Sequence, residues 1–284
     1  MTIALLALFG RILLLGYERI LIKQVGVNAD STSITLLYFM IGTICLLPLL
    51  FFVELPTHLN FIPYALTASC TYAVGFVLYV RALISGEVSQ VSSLLNLNIF
   101  FLIFIAVIFL DEPITTFKIL GSCSLIYGAS FLNKQENFFR SLQALFKCKA
   151  CLSMIAASFF VAIGRCIDGF VVQEIHPAVY AIIVNLGICV ILFSYLALNK
   201  KTKNIGRIFR AKPGLSLTLG IVSSFAYLFL LIAFTKLDVS IAEPASMLSV
   251  IVTILLAKRL FQESIRKRLI GAMIMITGAA MLFY

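Results

Sequence analysis

Long runs without a charged residue alternate along this chain with short polar connections. Such runs include residues 31–53, 88–110, 177–199, 213–235 and 269–284. A helix that crosses a membrane needs about 20 mostly apolar residues, because every backbone polar group in lipid must be hydrogen-bonded within the segment. The pattern predicts an all-α integral membrane protein with ten transmembrane helices. These predicted spans 1 to 10 cover approximately residues 2–22, 32–53, 61–80, 88–110, 114–132, 151–173, 177–198, 213–235, 239–257 and 269–284.

The second half of the sequence repeats the first. An acidic residue and a pair of glycines seven positions apart recur in both halves, which favours duplication over chance. A shift of 151 positions matches Ala82 with Ala233 and Glu112 with Glu263. After a one-residue deletion the shift becomes 150, which matches Gly121 with Gly271 and Gly128 with Gly278. The predicted units are a first repeat over residues 1–133, a basic connecting loop over 134–150 and a second repeat over 151–284. Because each repeat holds an odd number of spans, the two should be inverted in the membrane, which is typical of alternating-access carriers.

Charge and composition support a membrane protein and exclude a nucleic-acid partner. Hydrophobic residues make up 62% of the chain and charged residues 12%, about half of the charged fraction of soluble domains. The net charge of +10 is confined: eighteen Lys and Arg residues flank or occupy the connections after odd-numbered spans, whereas only Lys118 and Lys236 lie on the other side. The positive-inside rule then predicts a cytoplasmic (inner) membrane, cytoplasmic basic loops held at anionic lipid, and both termini outward.

Charged residues inside spans are costly and usually face a cavity or a partner. Arg11 and Glu18 lie seven apart on one face of span 1. Arg165 and Asp168 lie three apart in span 6, close enough to pair. We predict that these four residues bind substrate; the alternative is that they are closed ion pairs joining helices. Arg19, near the end of span 1, is expected to extend to the membrane interface.

A polar stripe marks one face of the otherwise apolar span 4. Ser89, Ser92, Ser93 and Asn96 follow helical spacing. Ser92 and Asn96 are therefore candidate substrate-binding residues, and hydrogen bonding between helices is the alternative. Asn98 points away from this stripe, which predicts a packing contact.

Glu243 takes the place of Ser92 in the second repeat. It has no basic residue at helical spacing in its own span, so it is a candidate to bind a substrate amine or a coupling proton, unless water reaches it near the span end. Pro244 next to it lacks a backbone N–H, which predicts an interruption of span 9.

Three tyrosines complete the predicted site. Tyr72 and Tyr79 share a face of span 3, and Tyr227 lies in the middle of span 8. As aromatic walls with a hydroxyl they would suit an amphipathic substrate, although tyrosine is also an ordinary packing residue. Cys148 and Cys151 have the C-x-x-C spacing but no second ligand pair. We expect no metal and no cofactor.

The arrangement resembles the EamA-type branch of the drug/metabolite transporter superfamily. The resemblance rests on two five-span halves, each closing with an acidic turn and a glycine-containing last span. The residues are Asp111, Glu112, Gly121 and Gly128 in the first half, and Gln262, Glu263, Gly271 and Gly278 in the second, with residues 239–244 also similar. Ser93 stands where the second half has Pro244, so the first half departs from the pattern. The resemblance implies a secondary carrier of small metabolites, often amino acids or their derivatives, and frequently an exporter.

The sequence therefore favours a secondary active exporter of a small amino-acid-like metabolite, with a lipid bilayer, a proton and a second copy of the chain as candidate partners. An alternative is a carrier of cationic drugs or adenosyl-type, nucleoside-like metabolites held by Glu18, Asp168 and Glu243. An integral-membrane enzyme is remote, because no cluster of catalytic residues is apparent. A channel is disfavoured by the inverted repeat and by the absence of a repeated pore-lining ring.

Overall fold

The protein is all-helical in the part that this computed structural model describes. The described residues are 1–26, 29–86, 88, 91, 95, 97–109, 115–130, 148–261 and 268–281. The α-helices within them are α1 (Thr2–Val25), α2 (Ser31–Leu46), α3 (Ile62–Ser85), α4 (Leu97–Phe109), α5 (Thr116–Ser130), α6 (Lys149–Val171), α7 (Pro177–Leu198), α8 (Lys203–Ala211), α9 (Pro213–Phe234), α10 (Val239–Ser246), α11 (Ser249–Phe261) and α12 (Arg268–Met281), and a 3₁₀ helix covers Leu47–Phe52.

The helices lie where the apolar runs predict them, with three differences. Span 2 is an α-helix continued by the 3₁₀ helix at Pro48. Span 9 is divided into α10 and α11, and α8 is an additional short helix in the basic connection before α9. Six described helical segments are long and apolar enough to cross a membrane: Ser31–Phe52, Ile62–Ser85, Lys149–Val171, Pro177–Leu198, Pro213–Phe234 and Val239–Leu260. The protein is thus a multi-pass membrane protein, and the full set of ten spans stays a prediction.

Helices of the first half pack mainly against helices of the second. The most extensive contacts join α3 to α6, α1 to α9 and α5 to α12, followed by α2 to α9 and α4 to α6. The buried faces form one continuous apolar core. Since side chains from both halves line the same interior, this interleaving is what brings the candidate site residues together.

The predicted interruption of span 9 lies between the end of α10 at Ser246 and the start of α11 at Ser249, just beyond Pro244. The amide of Met247 bonds the carbonyl of Pro244 at 3.0 Å, and the amide of Leu248 bonds that of Ala245 at 3.1 Å. These bonds span three residues rather than four, so the turn between α10 and α11 is tightened. Pro244 was the sequence signal for an interruption, and the observed one lies C-terminal to it rather than at the carbonyl that its missing N–H would have bonded.

Candidate functional site

A buried carboxylate anchors the centre of the bundle. Arg165 and Asp168 on α6 are 3.1 Å apart (Nη1 to Oδ2), and their side chains are 2% and 0% exposed. Tyr72 donates a hydrogen bond to Asp168 Oδ2 at 2.5 Å. Tyr180 and Tyr227 each donate to the other oxygen, Oδ1, at 3.0 Å. Four donors from α3, α6, α7 and α9 therefore satisfy Asp168, which compensates for its burial.

Arg165 is shared between two acids. Its Nε lies 3.4 Å from Oε1 of Glu243 on α10. Its guanidinium carbon lies 5.0 Å from the ring centre of Tyr72 and 5.2 Å from that of Tyr227, within cation–π range. Both carboxylates and both rings thus surround Arg165, and its buried Nε makes no hydrogen bond among the described residues.

Glu243 is held from both halves of the chain. Asn98 on α4 donates from Nδ2 to Oε1 of Glu243 at 3.1 Å, and Asn98 is completely buried. The prediction of a simple packing contact for Asn98 was wrong, because the amide reaches across the repeats to the acid. Oε2 of Glu243 is buried and has no hydrogen-bonding partner among the described residues. That oxygen can accept a proton or a donor group of a ligand.

A small central cavity lies beside these groups. Its volume is about 30 Å³, room for about two water molecules and not for a metabolite. Residues from both halves line it, among them Arg11, Glu18, Tyr72, Tyr79, Arg165, Ser223, Tyr227 and Glu243. A metabolite would fit only after the side chains or helices around this cavity move.

Arg11 and Glu18 face the cavity without closing on each other. Arg165 makes close ion pairs with Asp168 and Glu243, whereas no ion pair within 4.0 Å joins Arg11 to Glu18 in the described ranges. Nε of Arg11 is buried and has no hydrogen-bonding partner among those residues. The interpretation as closed ion pairs therefore fits α6 and does not fit α1.

Arg19 corrects a second expectation. It is 0% exposed, so protein encloses its side chain instead of leaving it free to extend towards lipid headgroups. Its Nη1 donates to Oγ1 of Thr253 at 3.5 Å, because this face of α1 packs against α11 rather than against lipid. Arg19 also interacts electrostatically with Glu18 and with Tyr79.

The buried charges of the centre balance. Three guanidinium groups and three carboxylates are each at most 4% exposed in the described part of these spans: Arg11, Arg19, Arg165, Glu18, Asp168 and Glu243. Because an uncompensated charge in a medium of low dielectric constant is costly, this balance lowers the cost of burying the six groups.

The structure brings together most of the sequence-predicted site residues. Seven of them line the cavity: Arg11, Glu18, Tyr72, Tyr79, Arg165, Tyr227 and Glu243. Asp168 lies behind that lining, and Ser92 and Asn96 lie outside the described residues. Sequence reasoning missed Tyr180 and the role of Asn98. A tyrosine within an apolar span was the available signal for Tyr180, whereas no spacing rule connects Asn98 with Glu243.

Comparison with known proteins gives a family match over both repeats. The model of the EamA-like transporter family matches residues 2–134 and 149–284. A solved structure titled "Crystal structure of protein" is similar with a TM-score of 0.77 and 14% sequence identity, over 100% of this chain and 98% of that chain. At this identity the likeness shows the fold alone. No curated protein matches.

Proposed function

Because the chain belongs to the EamA-like transporter family, we propose that it is a secondary active transporter that exports a small amino-acid-like metabolite across the cytoplasmic membrane. The observation that carries this proposal is that the lining of the central cavity holds buried groups of both signs without hydrogen-bonding partners among the described residues. Arg11 Nε and Glu243 Oε2 are both buried without partners among the described residues, and both residues line the same cavity. A zwitterion offers one group of each sign to such a site.

The roles follow from which charged groups are already engaged. Arg165 is neutralised by two carboxylates, so Arg11 is the guanidinium that would bind the substrate carboxylate. Glu243 would bind the ammonium group or a coupling proton through Oε2. Tyr72 and Tyr227 would contact the substrate side chain, and Glu18 and Tyr79 would complete the wall at the Arg11 side.

Transport would proceed by alternating access. The cavity is too small for a metabolite in the conformation described, so binding requires a second packing of the helices. Inverted repeats supply two nearly equivalent packings of the same halves. Protonation of Glu243 would weaken its attraction to Arg165 and so couple a proton to that change.

The cationic alternative is weakened by Asp168. That hypothesis needs Glu18, Asp168 and Glu243 to receive a cation together. Asp168 already accepts hydrogen bonds from four donors and lies behind the cavity lining. Only Glu18 and Glu243 would remain to bind the cation, and the positive charge of Arg11 would repel it. The family consists of transporters, and we propose no enzymatic activity.

A charge-matched set of compounds tests the proposal. Cells that overproduce the protein are challenged with toxic amino-acid analogues, with their esters, which lack the carboxylate, and with their hydroxy-acid counterparts, which lack the amine. We expect protection only against the zwitterions, and its loss in Arg11→Met and Glu243→Gln. The substrate proposal fails if wild type protects equally against the esters, or if Arg11→Met behaves as wild type for every protected compound. Loss of protection with a protonophore would support proton coupling.

A further inference from the structure

One ion pair joins the two halves outside the residues that line the central cavity. Nζ of Lys118 on α5 lies 2.7 Å from Oδ2 of Asp238, the residue directly before α10. The Lys118 side chain is 7% exposed and that of Asp238 is 44% exposed. The pair lies at the ends of α5 and α10, on the side opposite the basic connections, which the positive-inside rule predicts to be the outer one.

Neither charged side chain stabilises the helix terminus at which it lies. Lys118 lies in the first turn of α5, where the helix dipole disfavours a cation. Asp238 is at the N-cap position of α10, where an acid would usually accept from the backbone, but its side chain makes no such capping bond. The carboxylate is instead directed at Lys118. Local helix stability therefore does not explain this pair, and the contact between the halves does.

The pair is adjacent to an element of the candidate site. Asp238 immediately precedes α10, which carries Glu243 five residues later. Lys118 belongs to α5, which packs extensively against α12. The ion pair thus ties the helix that carries Glu243 to the α5–α12 pair. Because Asp238 is nearly half exposed, water can replace Lys118 as its partner when the two elements separate.

The sequence repeat places a second acid and a second base at the corresponding positions, on the opposite predicted side of the membrane. The shift that aligns the repeats carries Asp238 onto Glu87, and the shift for the last span carries Lys118 onto Arg268. An acid and a base are thus present again, with the predicted membrane side reversed. This correspondence is one of sequence, since Glu87 lies outside the described residues.

We propose that the Lys118–Asp238 ion pair is a latch that holds the outer side of the carrier closed and opens when α10 moves away from α5. The latch rests on the alternating access of the proposed function but not on the substrate. A test without substrate can therefore fail independently of the amino-acid assignment.

The test measures access to the central cavity from each side of the membrane. Ser223, which lines the cavity, is replaced by cysteine in a background whose seven native cysteines are changed to serine. A membrane-impermeant maleimide is added to intact cells and, separately, to inside-out vesicles. The variants are Lys118→Met, Asp238→Asn and the exchange of Lys118→Asp with Asp238→Lys. Lys236→Met is the matched control, because Lys236 is exposed and lies two residues from Asp238.

We expect both single variants to be labelled about tenfold faster from outside than the parent. Coupling between two contacting residues typically changes the ratio of two conformations, here outward-open and outward-closed, by about this factor. Labelling from inside should slow. The exchange should return the outside rate to within about twofold of the parent, since the attraction is restored, and Lys236→Met should equal the parent.

Unchanged outside rates in both single variants overturn the latch, and so does an exchange variant that is labelled as fast as the single variants. Faster labelling from inside rather than outside overturns the assignment of the side. Elution as a single species on size exclusion shows that each variant is folded. If Lys118→Met is not folded, the labelling rates of Asp238→Asn and of the exchange variant decide the outcome.

Discussion

At the scale of single residues, the buried acids of the centre differ in how completely they are satisfied. Asp168 accepts from four donors and has no capacity left for a ligand. Glu243 has one oxygen held by Asn98 and the other without a partner in the described part of the chain. We infer that Asp168 maintains the structure and that Glu243 is the acid suited to a ligand. Substitutions should separate these two roles.

Asp168→Asn should destabilise the protein strongly. It removes the acid from a buried ion pair and leaves Arg165 with Glu243 alone, which by analogy with other buried pairs costs about 3 kcal/mol. Thermal unfolding in detergent measures this. The matched control is Glu174→Gln, whose exposed contact with His58 spans 3.9 Å and should contribute less than about 0.5 kcal/mol. Equal destabilisation by the two variants would contradict a structural role for Asp168.

Asn98→Leu should affect function more than folding. The substitution removes the one hydrogen-bond donor that the described residues of the first repeat supply to Glu243, so the carboxylate loses about 1–2 kcal/mol of stabilisation and its fixed position. For a compound that wild type transports, we expect the apparent KM to rise about 5- to 30-fold. Asn199→Leu, at an exposed position at the end of α7, should leave the KM unchanged. An unchanged KM for Asn98→Leu would show that Asn98 does not position Glu243.

Sequence reasoning could find the charges of the site but not their partners. A charge in an apolar span is conspicuous at any position, so Arg11, Arg165 and Glu243 were predictable. The contact between Arg165 and Glu243 joins positions 78 residues apart on different helices, and helical spacing carries no information about it. Arg19 was misplaced for a related reason: its depth was inferred from distance to the span end, whereas its burial comes from a neighbouring helix.

At the scale of helices, glycines set how closely the two halves approach. A Cβ atom built on Gly16 of α1 would lie 2.5 Å from Cβ of Val252 and 2.8 Å from the backbone oxygen of Ser249, both in α11. Neither a β-branched Cβ nor a backbone carbonyl can move without shifting its helix. The contact between α1 and α11 therefore requires glycine at this position.

Gly16→Ala should consequently cost about 1–3 kcal/mol, the usual range for overpacking a well-packed interior. The matched control is Gly206→Ala in α8, where the added Cβ has no heavy atom within 4 Å. There, alanine should be neutral or stabilise the helix by up to about 1 kcal/mol. Thermal unfolding of both variants in the same detergent makes the comparison. A Gly16→Ala variant as stable as Gly206→Ala would exclude the close approach of α1 and α11.

The helices themselves were largely predictable, and their interruptions only partly. Apolar run length is a strong signal because the bilayer forces backbone hydrogen bonds into the segment. Pro244 predicted the division of span 9, because a proline has no backbone N–H to donate. The short α8 helix was not predicted, because residues 203–211 are strongly basic and read as a solvated connection.

At the scale of the whole molecule, the repeat and the charge distribution make one joint prediction about orientation. If five spans make up each half, the chain crosses the membrane ten times, both ends lie outside, and the basic connections lie inside. The helices of the two halves interleave as α1 with α9, α3 with α6 and α5 with α12. Interleaving of this kind is what two inverted copies around a shared cavity produce.

Cysteine labelling of the chain ends and connections tests this orientation. In the cysteine-free background, single cysteines at positions 2, 58, 174 and 236 should react with an impermeant maleimide in intact cells. Single cysteines at positions 140, 201 and 259 should react only in inside-out vesicles. Positions 58 and 140, before span 3 and after span 5, are separated by three predicted crossings, and so are 174 and 259, so each half carries its own internal control. If positions 2 and 58 were labelled from outside as predicted, but 174 and 236 were labelled only from inside, the two halves would have the same orientation in the membrane. Inversion would then be excluded, and with it the two equivalent packings on which alternating access depends.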